Sequence, residues 1–158
     1  MNKSEKIFEK LAVTTWETIL NAFVEQISYG EDAITSVNLL SLKNESLGNL
    51  ALQDTRPKES KKGCDFEFWI GSDKKGWLRY AIQAKKITVS SNRYSSLAHK
   101  VNGVPQIDIL ESYSLANRAI PIYCFFNSSK KVLSINSYCP KYKKTEELGC
   151  SVTPLKTV

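Results

Sequence analysis

Long apolar runs are missing from this sequence: none approaches the ~20 residues that a membrane-spanning helix needs, so a soluble, cytoplasmic protein is expected. Cysteine is sparse and poorly spaced for metal binding. Cys64, Cys124, Cys139 and Cys150 form no CxxC pair and His99 is the single histidine, which argues against structural zinc and for reduced thiols. Repeats and low-complexity tracts are also absent, which excludes solenoid architectures. Nor is there length for two catalytic domains. The 158 residues are read as one domain, since ~100–150 residues is the usual size.

Present instead is the material of a folded core: 42% hydrophobic residues, 10% aromatic and 24% charged. Twenty-two Lys and Arg against sixteen Asp and Glu leave a net charge of +6. That balance suits a polyanionic partner such as nucleic acid, and equally serves plain solubility.

Apolar residues recur at spacings of three and four from Ile7 to Ile27, predicting a long amphipathic helix that Ser28-Tyr29-Gly30 ends. Glu31 and Asp32 then open a second, shorter helix, where acidic side chains suit the N-terminal dipole. Residues 43–63 are rich in Asn, Gly, Ser and Lys and read as a mobile loop. In DFEFWI (65–70), Phe66, Phe68 and Ile70 alternate with Asp65, Glu67 and Trp69, and WLRYAIQAK (77–85) alternates likewise across the turn GSDKKG, predicting a β-hairpin. A helix begins near Pro105, strands follow at 119–127 and 132–138, and the tail 140–158 reads as irregular or a short helix. The element order predicts an α/β (α+β) architecture, a mixed four-stranded sheet flanked by helices.

Chemistry concentrates on the hairpin. Gln83 and Lys85 lie on one strand face, about 7 Å apart along the strand, and Asp65 reaches that face from the neighbouring strand. The Asp65 carboxylate, the Gln83 amide oxygen and the Ala84 carbonyl make a hard-oxygen set of the kind Mg²⁺ or Mn²⁺ accepts, with Lys85 a point charge beside it. A further carboxylate is wanted, and Glu31 and Glu67 qualify equally on spacing. Metal-polarised phosphate and an adjacent cation are what phosphodiester hydrolysis requires. The alternative is that Asp65, Glu67, Arg79, Gln83 and Lys85 form a solvated face with cross-strand ion pairs. Against it stand Trp69 and Trp77 in the same rows, which indicate a covered face whose charges need partners.

The arrangement GCD at 63–65, a hairpin, then QAK at 83–85 resembles the active-site signature of the restriction-endonuclease-like, or PD-(D/E)xK, nuclease superfamily in its glutamine variant. The longer pattern, with GEDAITSVNLL at 30–40, IQAKKI at 82–87, Tyr94 and PQIDIL at 105–110, is similar to small uncharacterised microbial proteins of that fold. The resemblance implies a three-layer nuclease domain in which Asp65 and Gln83 bind Mg²⁺, Lys85 assists catalysis and Glu31 supplies the helix acid. It implies a DNA endonuclease, with a role in phage defence or mobile elements, and a homodimer where both strands are cut. Two departures stand out: Cys64 replaces the proline, and Gln83 is not an acid, so a catalytically inactive nucleic-acid-binding or protein-interaction module is the second reading. Lys86, Arg93, His99 and Lys100 follow the centre, Gln106 faces it from the next helix, and Lys58, Lys61 and Lys62 lie in the loop before it; all are candidates for contacting DNA, or less readily RNA.

Overall fold

The computed structural model describes residues 3–47, 50–55, 59–129 and 144–155. In chain order the elements are α1 (Lys3–Val24), α2 (Glu31–Asn44), β1 (Leu50–Asp54), the single turn α3 (Glu59–Lys62), β2 (Phe66–Ser72), β3 (Gly76–Lys86), the two-residue strands β4 (Lys100–Val101) and β5 (Val104–Pro105), α4 (Gln106–Ala116), β6 (Ile120–Phe126), a 3₁₀ turn (Thr145–Leu148) and β7 (Cys150–Pro154).

The expected mixed sheet flanked by helices is the architecture observed. Among the described residues it has five strands in the order β1-β2-β3-β6-β7. β2 runs antiparallel to both β1 and β3, β6 lies parallel to β3, and β7 returns antiparallel to β6. The parallel step β3-α4-β6 is the crossover unit that carries a helix over one face. Two clusters of buried residues mark the layers. Ile19, Ile34 and Leu39 of α1 and α2 pack on Phe66, Ile82, Ala84, Cys124 and Phe126. On the opposite face Leu110 of α4 packs with Cys64, Ala81, Tyr123 and Leu155. Both faces of β3 are therefore covered, which accounts for five consecutive buried residues, Ala81 to Lys85, two of them polar.

Two expectations need correction. The segment 43–63, read as a loop, carries β1 and α3, and the tail 140–158, read as irregular, carries the 3₁₀ turn and β7. Both strands are five-residue edges whose partners lie far along the chain, so local composition understates them. The strand expected at 132–138 and Lys58 lie outside the described residues. Hairpin register runs from Phe66 opposite Ile82 to Ser72 opposite Gly76, so Asp73-Lys74-Lys75 form the turn. Gly63 (φ +68°) lies so close to α4 that a β-carbon would stand 2.5 Å from the Leu110 nitrogen. Its role is to let the backbone of α4 approach.

Candidate active site

Asp65 sits one residue before β2, pinned on both sides through the backbone. Its N–H donates to the Ile82 carbonyl (2.9 Å), and its carbonyl accepts from Thr55 N–H (2.9 Å) at the end of β1. Its Oδ2 accepts from the Ala84 amide and from Gln83 Nε2, both at 2.6 Å. Gln83 Nε2 also lies 3.3 Å from the Ala84 carbonyl, whereas Gln83 Oε1 is buried with no hydrogen-bond partner among the described residues. An orphaned amide oxygen in such a place costs free energy unless something electropositive meets it.

Lys85 Nζ donates to Gln106 Oε1 at 3.1 Å and faces Glu31 Oε1 at 3.9 Å. Gln106 is the first residue of α4, following Pro105 at its N-cap, and Glu31 is the first residue of α2, so two helix N-termini converge on the lysine. Glu31 is further fixed by the Lys86 N–H, which donates to its Oε2 at 2.7 Å. Asp65, Gln83, Lys85 and Gln106 are 1–3% exposed, but the Glu31 side chain keeps 26% of its surface and marks the open side of the cluster. Among the described residues, no group of three or more His, Cys, Asp or Glu side chains is arranged to hold a metal ion. The acids at this centre are two, Asp65 and Glu31.

Glu67 does not join them. Although it shares the face of Asp65, it lies fully buried further along β2, where both its oxygens accept from Arg79 Nη2 at 3.0 Å. Tyr113 donates to Oε1 at 2.5 Å and Lys62 Nζ stands 3.6 Å away. Arg79 also donates to the Asn117 carbonyl and lies over the Trp69 ring. This network ties β2, β3, α3 and α4 together. Within it, burial lowers the Lys62 pKa but the Tyr113 hydrogen bond and the Glu67 charge outweigh it, so the ammonium is held above its ordinary range. Burial, then the Glu67 bond, raises Tyr113. Cross-strand register pairs Trp69 with Arg79 but says nothing of Tyr113 or Lys62, so the sequence offered no signal for the full set.

The candidate nucleic-acid contacts are dispersed. Lys61, Arg93, His99 and Lys100 are exposed. Lys62 is engaged as above, Lys86 Nζ donates to the Tyr29 carbonyl at 2.6 Å, and Gln106 is buried against Lys85. The loop between β3 and β4 is held by Tyr94, whose hydroxyl donates to Asn127 Oδ1 and whose ring packs on Phe125, and by the His99 carbonyl, which accepts from Gln106 N–H at 3.0 Å. Asn127 was not foreseen; lying just past β6, it carries no local pattern. Cys64, Cys124 and Cys150 are free thiols, and burial pushes Cys64 and Cys150 up to about 11 and Cys124 well above the ordinary range. None of them is a nucleophile near neutrality. No helix among the described residues is long and apolar enough to cross a membrane.

Residues 4–158 match the family of unknown function DUF6615, and the chain belongs to that family. No curated protein matches it. In general architecture the fold, a mixed sheet between helical layers, is consistent with the restriction-endonuclease-like superfamily.

Proposed function

We propose that this DUF6615 member is a metal-dependent phosphodiesterase acting on nucleic acid, DNA in preference to RNA, through the Asp65–Gln83–Lys85–Glu31 centre. The observation that carries the reading is the buried, partnerless Gln83 Oε1, on an amide whose Nε2 donates to the Asp65 carboxylate. Turned over, that amide would aim its oxygen where Nε2 now meets the Asp65 carboxylate and the Ala84 carbonyl, and with Glu31 on the open side this donor set suits a hard divalent cation such as Mg²⁺ or Mn²⁺. When bound, such an ion polarises a phosphoryl oxygen and lowers the pKa of coordinated water.

The chain's own residues supply the rest. Asp65 is oriented by the Ala84 amide, so its carboxylate does not depend on the ion for its position. Lys85, buried and held between Gln106 and Glu31, presents a fixed positive charge that offsets charge growing on a phosphate in the transition state. The N-termini of α2 and α4, approaching from opposite faces of the sheet, both bring positive dipole ends to the Lys85 end of β3, which favours a phosphate there. Access is from the Glu31 side, since the other members are sealed. A small role in defence against mobile DNA remains within this reading.

The test is titration of the protein with Mn²⁺, followed by calorimetry and by nicking of supercoiled DNA. Wild type should bind one ion per chain and nick DNA only with metal, and D65A should do neither. Metal-independent duplex binding that survives D65A, without cleavage, would instead establish the binding-module reading.

A further inference from the structure

At the Lys85 end of β3, where the corner between α1 and α2 meets the strand, a cleft of about 200 Å³ opens. Phe23, Ile27, Ile87 and Val89 form its apolar walls, and Ser90 stands at its exposed lip. Ile27 keeps 63% of its surface, an apolar side chain left open at the mouth. The remaining wall is shared with the proposed centre. Lys86 Nζ donates to the Tyr29 carbonyl at 2.6 Å while the Lys86 N–H donates to Glu31 Oε2 at 2.7 Å, so the residues that fix Glu31 also bound the cleft. Lys86 adjoins Lys85, and Tyr29 comes two residues before Glu31, a span of ~7 Å at most. A nucleotide whose phosphate meets Lys85 and Glu31 therefore has the cleft within reach of its own base or its neighbour's.

We infer that this cleft receives one unpaired base of the nucleic acid, and hence that the substrate is single-stranded or locally unpaired. The inference rests on the nuclease reading and names its substrate class. Two features select that occupant. First, the cleft is smaller than the ~300 Å³ at which pockets for drug-sized molecules begin, so it has room for a single ring system, and apolar walls with few polar groups suit a base. Second, the way into the centre is narrow: Asp65, Gln83 and Lys85 are 1–3% exposed, and the Glu31 side chain, 26% exposed, marks the open side. A duplex is stiff, with a persistence length of ~150 bp, and keeps its bases stacked inside, so it cannot turn a phosphate inward and a base aside without extruding the nucleotide. An unpaired strand makes that turn with no pairing to break.

Fluorescence titration of the full chain tests it, with oligonucleotides of about 12 residues carrying 2-aminopurine at each position in turn, in EDTA so that no strand is cut. The single strand should bind about tenfold or more tightly than the duplex of the same sequence, because the duplex must first give up a base pair. One position should change its emission on binding, and an abasic site there should weaken binding by about 5- to 100-fold, the range that one stacked base supports. I27A removes a wall of the cleft and S90L fills it; both positions are exposed, so circular dichroism should show both variants folded. Each should cut the abasic penalty to about twofold or less, since the penalty is a coupling between that base and the cleft. With Mn²⁺, cleavage should fall next to the sensitive position. D65A should keep the single-strand preference in EDTA. A protein that nicks plasmid with Mn²⁺ yet binds duplex as tightly as single strand, or whose abasic penalty survives both substitutions, overturns this inference alone. A strand held by its base in the cleft and never cut overturns the nuclease reading alone.

Discussion

The Nζ of Lys85 donates to Oε1 of Gln106 across 3.1 Å, with both side chains buried between the sheet and the start of α4. An ammonium so enclosed has few places to go, and its position is set from the helix. Gln106 is therefore a positioning residue for the lysine. Q106A should lower the metal-dependent nicking rate by about 10- to 100-fold, the scale on which a misplaced charge acts in a preorganised site. Q106E retains an acceptor for the ammonium and should recover much of the loss. Melting temperatures of the variants, compared with the two rates, separate positioning from unfolding. K85A should lose at least a thousandfold while remaining folded, and wild-type rates in K85A would remove lysine from the mechanism.

Replacing the amide of Gln83 by a carboxylate reverses a stabilising contact. Gln83 Nε2 now donates to Asp65 Oδ2 at 2.6 Å. In Q83E two buried carboxylates meet at that distance, so one of them must take up a proton or the pair must be neutralised. Metal-free Q83E should therefore melt below wild type at pH 8. A divalent ion joins rather than separates the two oxygens, so saturating Mn²⁺ should raise the melting temperature of Q83E more than that of wild type. An equal rise in both proteins would show that the ion does not bind between residues 65 and 83.

What the sequence disclosed and what it hid follow from the range of each signal. Helical and strand periods are local, so α1, the β2–β3 hairpin, α4 and β6 were legible from residue spacing. Alternation also placed Asp65, Gln83 and Lys85 on a common face. It could not choose between Glu31 and Glu67, because alternation gives the face of a strand and not the company a side chain keeps. Glu67 was claimed by Arg79, Tyr113 and Lys62, which come from three other elements and converge only through packing of α3 and α4. β1 and β7 were hidden for a related reason: five-residue edge strands acquire their character from the strand beside them.

The network around Glu67 should behave as a buried ion pair. Its carboxylate is fully enclosed, and Arg79 and Tyr113 bond it directly. Removing Arg79 leaves the buried carboxylate with only the longer Lys62 contact for compensation, and stranding a buried charge costs up to ~3–5 kcal/mol. R79M should accordingly destabilise the fold by several kcal/mol in urea denaturation. E67M/R79M should recover part of that loss, because no charge is then stranded. Full additivity of the two single effects would show that the residues do not communicate in the folded protein.

Cys64 gives the fold an alkaline limit. The thiol is wholly buried beside Thr55, and burial pushes its pKa up from 9.0 to about 11. In the unfolded chain the group ionises near its ordinary value, so between those two values the unfolded state binds fewer protons than the folded one. Stability then falls as pH rises, with the contribution complete below pH 9.0 and lost as pH climbs through about 11. The full effect of a shift of this size is roughly 2–3 kcal/mol. Alanine at this position removes the ionisation while leaving an apolar side chain. C64A should start less stable at pH 8, for lack of the packed sulfur, yet lose less stability than wild type between pH 9 and pH 11 when urea midpoints are compared. Parallel pH profiles for the two proteins would mean that Cys64 ionises equally easily folded and unfolded, and hence that water reaches it in the native state.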